Sequence, residues 1–306
     1  MTLFILKRLA QIIPVTLGVT LVVFLIMQMI PGDPAIILAG EGASQETVAE
    51  LRENLGLNKP LAVQYTDYIK NLLQGDMGNS LKNNQPVFEE ITARLPITIE
   101  LAFYSILITI VLGLIAGIIS AIRPYSFMDV GLMVVALLGI SLPSFWLGIL
   151  LMYIFSVQLH WLPVAGWDSA KHIILPAVTL GAGGAAIVAR MTRSSMLEVV
   201  NQDYIRTAKA KGLKGYIIIL KHALRNAVIP VITVVGLQFG SLLGGTVLVE
   251  SVFAVNGLGR MIVDAIRTRD IPVVQGGVLV ASLIFVFINL FVDIMYRFFN
   301  KRMDLN

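Results

Sequence analysis

The residue types that most often carry catalysis are sparse in this sequence and stand apart from one another. Its three histidines, His160, His172 and His222, fall in separate segments, and no H-E-x-x-H motif places two of them on one helix face as zinc ligands. There is no cysteine, so a thiol nucleophile, a thiolate metal site and a disulfide framework are excluded. The G-x-x-x-x-G-K-S/T loop that cradles nucleotide phosphates is also missing. We therefore expect no catalytic residue, no metal site and no cofactor bound by this chain.

Ionisable groups in the middle of an apolar helix would indicate transport coupled to protons or sodium, because such coupling needs a titrating or ion-binding site. In this sequence the charged residues stop at the ends of the apolar runs. Glu100 immediately precedes one run and Asp293 immediately follows another. A stand-alone secondary transporter is therefore the less favoured alternative, and the energy for any transport would have to come from another protein.

The composition indicates a membrane protein. Hydrophobic residues make up 57% of the chain and charged residues 14%, and the mean hydropathy is +0.83. Soluble domains carry roughly 25% charged residues, so much of this surface must face lipid. The net charge of +4 is too small to indicate binding of nucleic acid.

Six uncharged runs are long enough to approach or exceed the roughly 20 helical residues that cross a bilayer. We predict an all-α polytopic membrane protein with six transmembrane helices. The third run is long enough for a span followed by a re-entrant segment, and Pro143 is expected to kink it. The fourth run is short and rich in small residues, so its bounds are the least defined. The runs are Leu9–Ile30, Leu101–Ile122, Val130–Leu159, Ile173–Ala189, Asn226–Val249 and Ile271–Val292.

The placement of Lys and Arg predicts the orientation. With both termini on the inner side, the inner segments hold 14 of the 23 basic residues but only five of the 19 acidic ones. The positive-inside rule favours this arrangement. We therefore predict a multi-pass membrane protein with its N-terminus and C-terminus in the cytoplasm.

Two hydrophilic segments separate the runs and define the predicted organisation. An N-terminal transmembrane helix (1–30) precedes an extracytoplasmic cap (31–96), and a five-helix core (97–306) contains an inner loop (190–225). In the cap, Ser44 is expected to cap one short helix, and the apolar spacing over residues 65–73 predicts a second.

The residue pattern of the inner loop predicts a short helix that another protein could bind. Asp203 is expected to cap its start and Gly212 to end it. Thr207, Ala208 and Ala210 are small, so a partner's surface could approach the backbone closely. A solvated, positively charged loop without a partner remains the alternative at this point.

The segment from Arg206 to Gly212 resembles the cytoplasmic "EAA" loop of ABC importer permeases. Ala208 and Gly212 match that pattern, whereas Arg206 and Thr207 replace its Glu and first Ala. The longer string DYIRTAKAKGL…HALRNAVIPV resembles members of the peptide/nickel branch. Other motifs resemble the B-type permease of that branch: PGDP (31–34), LGL (55–57), GDMG (75–78), ILPA (174–177), NGLGR (256–260) and RD (269–270).

This resemblance implies a MetI-like type I importer fold, a location in the bacterial cytoplasmic (inner) membrane and a set of partners. These are a C-type permease in a heterodimer, two cytoplasmic ATPases that bind the ATP and Mg²⁺, and an extracytoplasmic binding protein. The implied solutes are di- and oligopeptides, with glutathione, nickel or metal–chelator complexes as alternatives. The implied ATPase-coupling helix contains Asp203, Tyr204, Arg206, Thr207, Ala208, Ala210, Lys211 and Gly212. The residues implied to face the binding protein are Glu250, Phe253, Arg260 and Asp270.

Glycines repeat every four residues in two of the runs, which places them on one helix face where helices can approach closely in lipid. They are Gly113 and Gly117 in the second run and Gly236, Gly240 and Gly244 in the fifth. Packing within the chain, a dimer face and a pore lining all remain open as their role. The polar residues of the fifth run that we expect to line a pore are Gln238 and Ser241.

Overall fold

The computed structural model describes residues 2–29, 32–40 and 42–299, and all regular secondary structure in these ranges is helical. This confirms the predicted all-α class. The first helices are α1 (Thr2–Met29), α2 (Pro34–Ala39), α3 (Gln45–Asn54), α4 (Leu61–Leu73), α5 (Val87–Ile122), α6 (Phe127–Ser141) and α7 (Ser144–Met152). They are followed by α8 (Ala170–Val200), α9 (Asp203–Ala210), α10 (Gly215–Ile217), α11 (Leu224–Val252), α12 (Leu258–Thr268) and α13 (Ile271–Phe299). There are also two π-helical turns. Tyr153–Gln158 extends α7, and Ile218–Ala223 precedes α11.

Five helical segments within the described residues are long and apolar enough to cross a membrane. They are Ala10–Met29, Val87–Ile122, Ala170–Val200, Gly215–Leu242 and Ile271–Ile294. The pair Phe127–Ser141 and Ser144–Gln158 passes the same test together but is bent by 110°, and it makes a sixth span if counted as one.

The bend in the third predicted span falls at Pro143, where a kink was expected. Leu142 adopts an extended conformation with ψ of 132°, so the helix stops rather than curves. The proline ring causes this, because it clashes with a helical conformation of the residue before it.

Several helices are longer than the uncharged runs predicted, and two of them extend the furthest. The fourth span lies in α8, which continues for eleven residues beyond Ala189 to Val200, and the second lies in α5, which begins at Val87. Charged side chains near a helix end reach the polar interface, so an uncharged run underestimates the length of the helix that contains it.

The chain divides into two compact units, of which the first comprises residues 1–97 and 257–286. In its cap, Ser44 caps α3 as predicted, because its hydroxyl accepts a hydrogen bond from the Thr47 N–H at 3.1 Å. Asp33 caps α2 by accepting from the Ala35 N–H at 2.9 Å, and the guanidinium of Arg52 holds the pKa of Asp33 below its usual range. The buried core of this unit is formed by Met27, Val87, Ile91, Leu258, Met261, Ile262, Ala265, Val273 and Val274.

The second unit comprises residues 98–256 and 287–306, and α8 is its most buried long helix. Small residues bring α5 against α8. A Cβ added to Gly117 would lie 2.6 Å from the carbonyl oxygen of Ala189, and one added to Gly113 would lie 2.6 Å from the Val188 side chain. Thr109 adds a polar contact, because its hydroxyl donates to the Gly181 carbonyl at 2.9 Å. These glycines therefore pack within the chain.

The glycines of α11 divide between two environments. Gly236 packs against Val292 of α13, because an added Cβ would clash with the Val292 Cγ1. A Cβ added to Gly240 would lie 3.0 Å from the Asn289 side chain. Gly244 has no described atom within 4 Å of such a Cβ. Internal packing thus accounts for the first two glycines, whereas Gly244 remains available for another surface.

The α5–α8 contact leads to a prediction. Gly117→Ala should lower stability by about 1–3 kcal/mol, because the added methyl would meet backbone that cannot move away without separating the two helices. Gly131→Ala is the matched control, since a Cβ there meets no described atom within 4 Å. Thermal unfolding of the purified protein in detergent, followed by circular dichroism, measures the difference. Equal melting temperatures for the two variants would contradict the close approach.

Candidate functional site

Helix α9, which contains most of the predicted coupling segment, lies between α8 and the π-helical turn that precedes α11. It spans Asp203–Ala210, in agreement with the predicted location. The expected role of Asp203 as the cap is wrong in detail. Gln202 occupies the cap position, no side chain caps the helix, and Asp203 is the first helical residue. The Asp203 carboxylate is instead 3.6 Å from Arg206 on the exposed surface.

One face of α9 is fixed in the interior of the second unit. Ile205 is fully buried, with 0% of its surface exposed, and Ala208 is buried one turn further on. The small size of Ala208 therefore allows α9 to pack on its own chain, which corrects the expectation that a partner approaches at this residue. The core cluster contains Ala121, Met196, Ile205, Ala208, Ile218, Ala223 and Ala227.

The opposite face of α9 is exposed. Tyr204, on this face, is held at its hydroxyl, which accepts a hydrogen bond from the Asn226 side chain at 2.7 Å. Because Asn226 belongs to α11, this bond ties the start of α9 to the following span. The exposed residues of the segment are Asp203, Tyr204, Arg206, Thr207, Lys209, Ala210, Lys211 and Gly212.

Helix α9 ends in a Schellman motif centred on Gly212. The Gly212 N–H donates to the Lys209 carbonyl at 3.0 Å, and the Leu213 N–H donates to the Ala208 carbonyl at 3.4 Å. Gly212 has φ of +75°, a left-handed conformation that favours glycine. The termination expected at this residue is thus present, and its cause is backbone conformation, since a Cβ at Gly212 meets no described atom within 4 Å.

A buried ion pair joins α6 to α8 ahead of α9. Asp129 is 2% exposed, and its carboxylate accepts hydrogen bonds from both Nε and Nη2 of Arg193, each at 2.7 Å. The backbone N–H of Tyr125 adds a third bond at 2.8 Å. A bidentate guanidinium–carboxylate pair fixes orientation as well as distance. This pair therefore holds the start of α6 on the helix that leads into α9.

The two predicted pore residues lie together on α11. The Ser241 hydroxyl donates to the Gln238 carbonyl at 2.8 Å and lies 3.2 Å from the Gln238 side-chain oxygen. Ser241 is exposed and Gln238 is half-buried. Their polar groups thus form one small polar site on α11.

Three of the four residues predicted to face a binding protein are buried in this structure. Glu250 is 0% exposed and accepts a hydrogen bond from the Thr98 hydroxyl at 2.7 Å, and Phe253 packs beside Gly148. Asp270 accepts from the Ser80 hydroxyl and from the Leu81 N–H, the latter at 3.1 Å.

These buried side chains support surface segments from beneath, so the expectation of direct partner contact is not met by their geometry. Arg260 differs, because it is partly exposed and lies 3.7 Å from Asp264 on the same face of α12.

Several residues with structural roles at these sites were not singled out in the sequence. Asn226, Thr98 and Ser80 each bind a residue that was named from the sequence, and Arg193 binds Asp129, which was not named. Each lies far from its partner along the chain. The only available signal was a polar side chain within or beside an apolar run. Among the described residues, no group of three or more His, Asp or Glu side chains could hold a metal ion.

Two family models match the chain and together cover nearly all of it. The binding-protein-dependent transport system inner membrane component matches residues 110–305, and the N-terminal model of such membrane components matches residues 1–102. The chain therefore belongs to the family of permease subunits of binding-protein-dependent ABC importers. It is a multi-pass inner-membrane protein, and its family relies on separate ATPase subunits for ATP hydrolysis. The predicted family and the expectation that the chain is not an enzyme are confirmed.

Individual relatives match over the full length. The chain is 46% identical to the dipeptide transport system permease protein DppB of Alkalihalophilus pseudofirmus, over 99% of both chains. It is 48% identical to the glutathione transport system permease protein GsiC of Salmonella choleraesuis, over 97% of both. A solved structure of the MetNI methionine ABC transporter, in an inward-facing conformation, matches 69% of this chain and 96% of its own with a TM-score of 0.58. At 21% identity this last match shows the fold alone, and it confirms the MetI-like architecture.

The end of α9 gives a prediction that distinguishes backbone strain from steric clash as the effect of replacing Gly212. Gly212→Ala should destabilise the end of α9 by about 1–2 kcal/mol, because an L-residue is strained in the left-handed region. Gly215→Ala is the control, since that site is equally open but lacks a positive φ. Amide hydrogen exchange over residues 205–213 should accelerate about fivefold or more in the first variant and stay unchanged in the second. Equal exchange in both would show that Gly212 does not hold the helix end.

Proposed function

We propose that this chain is a transmembrane pore subunit of an ATP-driven importer that takes up di- and oligopeptides delivered by an extracytoplasmic binding protein. The observation that supports this most directly is the full-length identity of 46% to a dipeptide permease. The family supplies the mode of transport, and the charge-free middles of the apolar helices agree with energy that comes from another subunit.

Glutathione is the second candidate solute, because a glutathione permease is 48% identical over 97% of the chain. Glutathione is itself a short peptide, so both candidates share amide groups and charged termini. Nickel and metal–chelator complexes stay as further alternatives.

The proposed assembly pairs this chain with a C-type permease, two cytoplasmic ATPases that bind ATP and Mg²⁺, and a binding protein on the outer side. The excess of Lys and Arg in the segments assigned to the inner side supports cytoplasmic termini. In this orientation α9 lies in the cytoplasm and the cap lies outside.

Helix α9 is proposed to transmit force from an ATPase to the membrane helices. Ile205 and Ala208 seat one face in the core of the second unit, while the opposite face is exposed. The Tyr204–Asn226 bond links α9 to α11. A helix held in this way moves together with the spans it packs against, which is the property that coupling requires.

On the outer side, the partly exposed Arg260 and the cap are proposed to contact the binding protein. The buried Asp270 is proposed to hold the cap in position through Ser80 and Leu81, and the buried Glu250 and Phe253 are proposed to stabilise the second unit. Gln238 and Ser241 are proposed to offer polar groups to the solute along the pore.

Transport by the reconstituted assembly tests the function. The complex of this chain, the C-type permease and the two ATPases is reconstituted in vesicles. It should hydrolyse ATP faster with binding protein that carries a dipeptide such as Ala-Ala than with empty binding protein. Labelled dipeptide should accumulate only when ATP is present. Uptake by this chain alone, driven by a proton gradient and independent of ATP, would instead support a secondary transporter. Stimulation by glutathione but by no dipeptide would support the second candidate.

The proposed role of α9 is tested at its exposed face. Ala210→Trp should prevent co-purification of the ATPases, because the indole would occupy the space that a docked partner needs, while membrane insertion stays normal. Ala49→Trp, an exposed alanine of α3 in the cap, is the matched control. It should retain the ATPases. Full association and uptake in the Ala210 variant would mean that α9 does not seat in an ATPase.

A further inference from the structure

A large cleft lies within the first unit, and all of its lining residues belong to that unit. Its volume is about 820 Å³, and its walls come from α1, α2, the α3–α4 turn, α4, the segment 76–84 and the start of α13. Pockets that enclose small ligands measure about 300–1,000 Å³. The cleft is thus large enough for a short peptide.

The lining of the cleft is rich in carboxamide side chains. Five of the lining Asn and Gln residues have side chains that form no hydrogen bond with any other described residue. Each carboxamide offers a carbonyl acceptor and an N–H donor, which is the pairing that the backbone of an extended peptide requires from its partner. The five are Asn54, Asn71, Asn79, Asn84 and Gln275.

Other polar groups of the lining are occupied by one another. The Gln28 side chain donates to Gln64 at 3.2 Å, and Lys59 pairs with Asp67 at 2.8 Å. These contacts shape the wall, so the five carboxamides are distinguished from their neighbours by having no such partner.

Charges of both signs remain at the cleft besides the Lys59–Asp67 pair. Lys70 and Asp76 both line it, and the Asp76 side chain accepts only the Gly78 N–H, at 2.8 Å, among the described residues. Tyr68 adds a neutral phenol that can donate a hydrogen bond, and burial raises its pKa to about 12. A zwitterionic peptide carries one charge of each sign, and this lining offers a counter-charge to each.

We propose that this cleft binds the backbone of a short extended peptide through its carboxamides, with Lys70 and Asp76 near the peptide's charged ends. The proposal rests on the proposed function, because it assigns peptide contact to the cap as well as to the pore. The same chemistry could be supplied by a free peptide or by an extended loop of the binding protein. We assign it to the free peptide, since Lys70 and Asp76 together match two free termini.

The first test uses the permease–ATPase complex in nanodiscs without binding protein. Fluorescently labelled tetra-alanine should bind saturably. Asn54→Ala and Asn71→Ala should each weaken binding about two- to tenfold, as expected for loss of one hydrogen bond. Asn58→Ala is the matched control, because Asn58 is an exposed asparagine of the same turn region outside the cleft lining. It should leave the affinity unchanged.

A second test leaves the protein unaltered, so it does not depend on the folding of any variant. Tetra-alanine with its internal amides replaced by esters keeps both charged ends but loses the N–H donors. It should compete with the labelled peptide several-fold more weakly than tetra-alanine does. Equal competition by the two compounds would show that the carboxamides do not bind the peptide N–H groups.

Three outcomes would overturn the proposal. The wild-type complex could fail to bind tetra-alanine, the Asn58 variant could lose as much affinity as the cleft variants, or the cleft variants could lose affinity only for the binding protein. The last result would assign the cleft to a loop of that partner. Peptide uptake from loaded binding protein is measured separately: normal uptake without tetra-alanine binding rejects the cleft alone, whereas absent uptake rejects the proposed function.

Discussion

The coupling proposed for this chain depends on the packing of Ile205 and Ala208 into the core of the second unit. A helix of eight residues is not stable by itself in water, so α9 keeps its shape because these two side chains are buried. The left-handed Gly212 then ends the helix and directs the chain towards α11. A partner that pushes on the exposed face must therefore move the core cluster with it.

Membrane helices must resist such a push without a hydrophobic force to hold them together, because lipid is as apolar as their side chains. This chain meets the requirement in two ways. Gly113 and Gly117 allow α5 to contact α8 closely, and the Asp129–Arg193 pair fixes α6 on the same helix. Removing one partner of a buried ion pair leaves an uncompensated charge. Helix α8, which leads directly into α9, is thus held along much of its length.

The sequence predicted those features that depend on neighbouring residues. Ser44 caps α3, Pro143 breaks the third span, and the α9 segment was located from its small residues and glycine. Burial at the ends of the spans was not predictable in this way. Asp270 binds Ser80, which is 190 positions away, and Glu250 binds Thr98 at a separation of 152. A charged residue beside an apolar run looks exposed until such a distant partner is known.

Helix α13 contributes residues to both compact units. It contributes Gln275 to the cleft in the first unit and continues into the second, where Asn289 and Val292 pack against glycines of α11. Helix α11 in turn holds Asn226, the partner of Tyr204 on α9. Within the second unit, the close Gly236–Val292 packing couples α11 to α13, because a looser contact would let α11 move without α13.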